Sequence, residues 1–205
     1  MFEQSNPMTT KQRQPAAIAA LTDLISKLGF RPSGTTLHRL SHDERVIQVV
    51  TLQKGRTRLI GKFTVELGCF LPSVYASTTD EPPPKRPSIL QCHIRDRLTH
   101  FIGLSDLWWK SDDLGETEML AVAARRDIPL FFERFGEVHA ILEASPERPL
   151  PMGSPYVRPV LLHEEGRDGE AREYIQRWRD GLIGKSRDAS FLADFETRIG
   201  LDPRN

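Results

Sequence analysis

Apolar positions recur along this chain first with the period of a helix, then of strands, then of helices again. Ala17, Leu21, Leu24, Ile25 and Leu28 fall on one helical face, with Pro15 suited to a first turn and Gly29 to the position just past the last one. The period changes after Phe30-Arg31-Pro32-Ser33-Gly34. Thr35–Leu40 reads as a short strand, His42-Asp43-Glu44 as a turn, and the β-branched stretch Val46–Gln53 as a central strand, apolar on both faces except at Gln48 and Gln53. In Phe63–Leu71 the residues Phe63, Val65, Leu67, Cys69 and Leu71 alternate onto one face, with Thr64, Glu66 and Phe70 opposite, which predicts an antiparallel hairpin with the preceding strand. Pro72 closes that strand, and residues 73–87, with Pro82, Pro83, Pro84 and Pro87, read as an exposed, semi-rigid loop. Ser88–Arg95 alternates again, Leu90, Cys92 and Ile94 against Gln91, His93 and Arg95, and is expected as a third core strand; a helix starting in the same region competes with it.

The second half reads as helical. Asp112 or Asp113 can cap a helix running to about Arg126, and Pro129 can start another with Leu130, Phe131, Phe135, Val138, Ile141 and Leu142 inward. The Pro-rich stretch 145–155 is the best boundary in the chain. Beyond it, Tyr156–Glu165 is expected as a short helix, since Pro159 argues against a central strand. An amphipathic helix follows through Ala171, Tyr174, Ile175, Trp178 and Leu182, and then a last one, capped by Asp188, with Phe191, Leu192, Phe195 and Ile199 inward. The expected fold class is therefore α+β: an antiparallel sheet of three to five strands with helices packed on one face, plus a C-terminal helical extension. In domain terms this is a disordered tail (1–14), an α+β core domain (15–145) and a helical extension (153–201) packed on the core or on a partner.

Composition narrows the setting. With 39% hydrophobic and 27% charged residues over 205 positions, the chain can bury a real core. Formal net charge is zero, so nucleic acid is an unlikely partner on bulk charge. Residues 1–110 nevertheless carry 15 Lys and Arg against 9 Asp and Glu, and the remainder reverses that surplus. The first residues are polar and lack the apolar core of a secretory signal, and no apolar run reaches the ~20 residues needed to span a bilayer. A cytoplasmic protein with reduced thiols and no membrane association is expected.

Four groups of residues could carry function. On the sheet's polar side, Gln48, Glu66, His93 and Arg95 could share one face, and a carboxylate, an imidazole and a guanidinium together could do acid–base work or bind an anion. The plainer reading is a cross-strand Glu66–Arg95 pair that specifies register. The connection holding Lys54, Arg56, Arg58 and Lys62 could grip phosphates or an acidic surface, or be an ordinary solvated hairpin loop. Trp108 and Trp109, with Phe101 nearby, are adjacent on an extended segment, so one could be core and the other a partner anchor. Cys69 and Cys92 both fall on the apolar face of expected strands, as inert core neighbours, and Cys92 cannot readily share a proton with the adjacent His93. Neither cysteine has metal-ligand spacing, and phosphate-loop, dinucleotide, nucleophile-elbow and H-E-x-x-H motifs are absent, so neither metal nor cofactor is expected.

Taken in order, Gly29-Phe30, Gln48, Gln53-Lys54, the run from Phe63 to Pro72, Cys92-His93-Ile94-Arg95-Asp96-Arg97 and Trp108-Trp109 resemble a bacterial family catalogued as domain of unknown function 4304, over residues of about 16–145. Cys92, His93, Arg95 and Arg97 match that family's Cys-His-hydrophobic-Arg-x-Arg piece, whereas Glu66 stands where Asn is more usual. The resemblance implies a fold and a single unit, and brings no activity with it. Two function classes are carried forward. The first is a non-enzymatic protein-binding module, immunity-like or adaptor. The second is a small enzyme or anionic-ligand binder built on Glu66, His93, Arg95 and Arg97.

Overall fold

The computed structural model describes residues 15–144, 151, 153–185 and 187–201. The expected tail and most of the Pro-rich boundary lie outside these residues. Helix α1 (Ala16–Lys27) buries Ala17, Ile18, Leu21, Leu24 and Ile25, and ends where Gly29 adopts φ +89°, a left-handed conformation that costs glycine little. Strands β1 (Arg31–Ser33), β2 (Thr36–Leu40), β3 (Ile47–Lys54) and β4 (Lys62–Phe70) follow as an antiparallel meander. Next come α2 (Pro72–Thr78), a 3-10 turn (Ile89–Gln91), β5 (Ile94–Arg97), a single turn α3 (Leu98–Phe101) and β6 (Trp109–Lys110). The sheet order is β1-β2-β3-β4-β5, with β6 also pairing on β4. The helices are completed by α4 (Leu114–Phe135), α5 (Val138–Glu143), α6 (Val157–Glu164), α7 (Asp168–Ile183) and α8 (Phe191–Arg198).

The alternation of β4 sets the layers. Phe63, Val65, Leu67, Cys69 and Leu71 join residues of α1 and α4–α8 in the main buried cluster, so helices cover that face. The opposite face carries a small second cluster of Val49, Phe70, Ile89 and Cys92, made where the segment after α2 crosses back over the sheet. Gly68 permits this crossing: a Cβ there would stand 2.7 Å from Cys92 Sγ and 2.7 Å from Ile89 Cδ1. The C-terminal helices close over the core through Val157, Leu161, Leu192 and Phe195, and Tyr156 packs edge-on against Trp178 at 5.1 Å and Phe195 at 4.9 Å. Arg45, in the β2–β3 turn, pairs with both Glu164 and Glu165 at the end of α6. The approach to α6 is also fixed to β5: Arg95 N–H donates to Pro151 O at 3.2 Å, and Ser154 N–H donates to His93 O at 2.8 Å.

Several expectations are corrected. The third core strand does not span 88–95. Ser88 and Gln91 form a capping box that closes the 3-10 turn, the strand begins only at Ile94, and Leu90 is 77% exposed. Pro72 does not simply end a strand; it sits in the first turn of α2, where its fixed φ and missing N–H suit a helix start. Pro129 does not open a new helix but lies inside α4. Such a proline costs about 3 kcal/mol in a helix interior, and burial of Ile128, Phe131, Phe132 and Phe135 on the same helix offsets it. The expected inward Leu130 faces outward instead, 46% exposed. Strand β1 was not expected. Phe191 is also exposed, packing at 5.6 Å against Trp178.

Candidate functional site

The face of the sheet not covered by helices holds a cleft of about 500 Å³. Register builds it. Gln53 pairs with Thr64, Thr51 with Glu66, Glu66 with Arg97 and Gly68 with Arg95, so Gln53, Glu66, Arg95 and Arg97 share one face across three strands. The 3-10 turn adds Ile89 and Leu90 to one wall, and Asp96, His100 and Asp106 complete the other.

Arg97 is the centre of its electrostatics. Its guanidinium lies 3.7 Å from Glu66 Oε1, pairs with Asp106, and sits over the Trp108 ring at 5.4 Å. The hydrogen bond to Asp106 raises the Arg97 pKa above its ordinary value, with Glu66 adding to it against the effect of burial. Asp96 Oδ1 accepts the Arg97 backbone N–H at 2.8 Å and lies 2.8 Å from His100 Nδ1. Each carboxylate of the cleft is thus already engaged. Among the described residues Arg95 has no carboxylate within ion-pair distance. Gln53 Oε1 is buried at the cleft without a hydrogen-bond partner, as is the hydroxyl of its cross-strand neighbour Thr64.

The structure brings together Glu66, Arg95, Arg97 and Trp108 but not all of the residues grouped from sequence. Gln48 pairs with Cys69 and faces the helices, 3% exposed. Its Oε1 accepts from Arg39 Nε at 2.7 Å and its Nε2 donates to Gly136 O at 3.0 Å. Strand parity alone could have placed it there, since Val46, Val50 and Leu52 share its phase and are buried in the main core. His93 precedes β5 and points away from the cleft. Its Nδ1 accepts the Leu71 N–H at 3.1 Å, its ring lies 5.2 Å from that of Phe70, and burial lowers its pKa to about 4.

Trp109 is buried beside Phe63, while Trp108 is half-buried on the cleft side; Phe101 meets Phe131 edge-on at 5.4 Å. The cysteines are not neighbours on one apolar face. Cys69 belongs to the main core and Cys92 to the small cluster on the other side of the sheet. Burial raises the pKa of Cys92 to about 12 and that of Cys69 well above its ordinary value.

Lys54, Arg56 and Arg58 are exposed and Lys62 is half-buried in the β3–β4 connection, separate from the cleft. Sequence reasoning missed Gln53, Asp96, His100 and Asp106. The spacing of four between Asp96 and His100 was a usable signal; Asp106 sits in a loop without periodicity. Among the described residues, no group of three or more His, Cys, Asp or Glu could hold a metal ion. No described helix is long and apolar enough to cross a membrane.

Neither a curated protein nor a solved structure matches the chain significantly. A family model does: the domain of unknown function DUF4304 matches residues 21–129, more than half of the chain, from the middle of α1 through most of α4. The match takes in the crossing segment, β5 and every lining residue of the cleft, and so the chain belongs to the DUF4304 family.

Proposed function

We propose that this protein is a non-enzymatic protein-binding module, immunity-like or adaptor in class, and that its partner docks on the cleft of the open sheet face. One observation carries the reading: an arginine stacked on a half-exposed tryptophan lies in a concave site whose rim presents apolar side chains to solvent. Arg97 and Trp108 form the stack, Leu90 stands on the rim, and Leu104 and Leu107 lie exposed on the loop that supplies Asp106. Tryptophan and arginine anchors in a concave setting are the usual composition of binding hot spots. The competing enzyme reading around Glu66, His93 and Arg95 is weakened, because His93 is turned to the Leu71 backbone and the carboxylates of the cleft are engaged.

A photo-crosslinking residue placed at Leu90 or Leu107 in the native host tests this, with Val122 on the exposed side of α4 as the control position. The expected result is one protein crosslinked from both cleft positions and not from Val122, whose purified form binds wild type and loses at least tenfold in affinity with Arg97→Ala. Equal capture from all three positions, or none from the cleft, would refute the reading.

A further inference from the structure

The strand register aligns one row of residues across the whole open face: Arg31, His38, Val49, Gly68 and Arg95 pair in turn from β1 to β5. Residues directly opposite one another in a sheet share a face, so this row carries a cation at each end. Four strand spacings separate Arg31 from Arg95, roughly 19 Å. The segment after α2 crosses the middle of the row as a ridge. Ile89 and Cys92 cluster there with Val49, and a 2.9 Å hydrogen bond between His38 Nε2 and Pro87 O ties the segment to β2. Lys85 and Arg86, just before Pro87, thereby join Arg31 at a second cleft. The first cleft opens on the β5 side of the ridge and the second on the β1 side.

The charge of this face is unbalanced. Arg31, Lys85 and Arg86 are exposed and Arg95 is half-buried, and none of them forms an ion pair among the described residues. The carboxylates of the first cleft are engaged, Glu66 and Asp106 with Arg97 and Asp96 with His100, and no Asp or Glu lines the second. Arg39 borders the second cleft but has the opposite phase: it pairs with Gln48, and its guanidinium is held by Gln48 Oε1 and Leu28 O on the helix-covered side. It takes no part in the row. Leu40, 49% exposed, and Leu90, 77% exposed, lie among the cations. Cations interspersed with exposed apolar side chains, on a chain of zero formal net charge, suit a protein surface better than a phosphate backbone.

We propose that the docking face continues from the first cleft over the ridge into the second, and that its partner is an acidic protein surface laid along Arg31, Lys85, Arg86 and Arg95. This rests on the docking reading of the first cleft and adds to it the extent of the contact and the charge of the partner. A row of roughly 19 Å lies within a standard patch of about 800 Å² per partner. The cations divide the work by burial. Arg31, Lys85 and Arg86 stand in solvent, where they attract the partner during encounter and add little to holding it. Arg95 is covered once the first cleft is filled, and its pairing with a partner carboxylate slows release.

The probe is the protein captured from Leu90 and Leu107. A photo-crosslinking residue at Leu40, in the second cleft, is expected to capture that same protein. Association and dissociation of the purified pair are then followed by stopped flow at low and at molar sodium chloride. The variant R31Q/K85Q/R86Q changes only exposed side chains; K54Q/R56Q/R58Q, in the β3–β4 connection, removes equal charge elsewhere. Both are checked for an unchanged melting curve. The first variant is expected to associate about tenfold more slowly at low salt, with the difference vanishing at molar salt, while the control follows wild type. Arg95→Gln should instead speed dissociation about tenfold or more. Capture from Leu90 and Leu107 but not from Leu40, equal association by wild type and the first variant, equal slowing in both triple variants, or unchanged dissociation with Arg95→Gln would overturn the proposal and leave the docking reading standing. No capture from the first cleft would refute that reading and this proposal with it. An oligonucleotide held more tightly by wild type than by the first variant would also overturn the proposal, assigning the row to nucleic acid.

Discussion

Replacing Gly68 with alanine tests how the candidate docking cleft is built. The new methyl carbon would stand 2.7 Å from Cys92 Sγ, 2.7 Å from Ile89 Cδ1 and 2.9 Å from Cys92 Cβ, well inside ordinary contact distance. The turn that meets it is poorly placed to retreat. The Ser88–Gln91 capping box closes it, His93 N–H donates to Cys69 O at 2.9 Å, and His93 O is held by Ser154. Overpacking of this kind costs about 1–3 kcal/mol. Gly68 has no positive φ, so alanine regains roughly 0.4–1 kcal/mol through the less free unfolded chain. The expected net loss is about 1–2 kcal/mol, a fall in Tm of about 3–6 °C for a chain of this size, read by urea and thermal unfolding. In an I89V/C92A background, which removes Cδ1 and Sγ, the same substitution should cost at least ~0.5 kcal/mol less. A Gly68→Ala protein as stable as wild type, with no coupling to that background, would refute the close approach of turn and strand.

Three further outcomes are expected. The pKa of His93 is about 4 in the folded state against about 6.5 unfolded, so its contribution to stability is complete above 6.5 and is lost as pH falls from there toward 4. Between pH 7.5 and 4.5 this weakens the fold by about 2–3 kcal/mol, and His93→Gln should flatten that part of a stability–pH curve measured by urea melts. Gln48→Ala should cost about 2–3 kcal/mol, because Arg39 Nε and Gly136 O lose their partner in the interior, while leaving docking on the first cleft unchanged in a binding titration. Both thiols should resist a thiol reagent at pH 8 in the native protein and react fully in denaturant, since burial keeps Cys69 and Cys92 protonated.

Much of the layer structure was legible in residue patterns. The parity of Phe63 to Leu71 specified which face meets the helices, and α1 showed both its apolar stripe and its terminating glycine. Where patterns failed, a competing local interaction had the same period or overrode it. Leu90, Cys92 and Ile94 alternate like a strand, yet the Ser88–Gln91 box folds the first of them into a turn. A proline marks a helix start at Pro72 and interrupts nothing at Pro129, and only the burial of the surrounding phenylalanines distinguishes the two cases. The candidate site was half readable. Glu66, Arg95 and Arg97 meet because β5 pairs with β4 in one particular register, and a register shifted by one residue would have sent both arginines to the helical side. Gln48 was grouped by its polarity when its phase already assigned it to the interior.

The pinning of Pro151 and Ser154 onto β5 bears on how this molecule can meet others. Those two residues occupy hydrogen-bonding groups at one outer margin of the sheet, and at the opposite margin Pro32 offers no amide hydrogen. A foreign strand finds no continuous ladder to extend at either border, so adding a strand is a poor route to self-assembly or partner capture. Under the docking reading proposed above, recognition would fall to the broad surface of the sheet, where side chains rather than main-chain groups would select the partner.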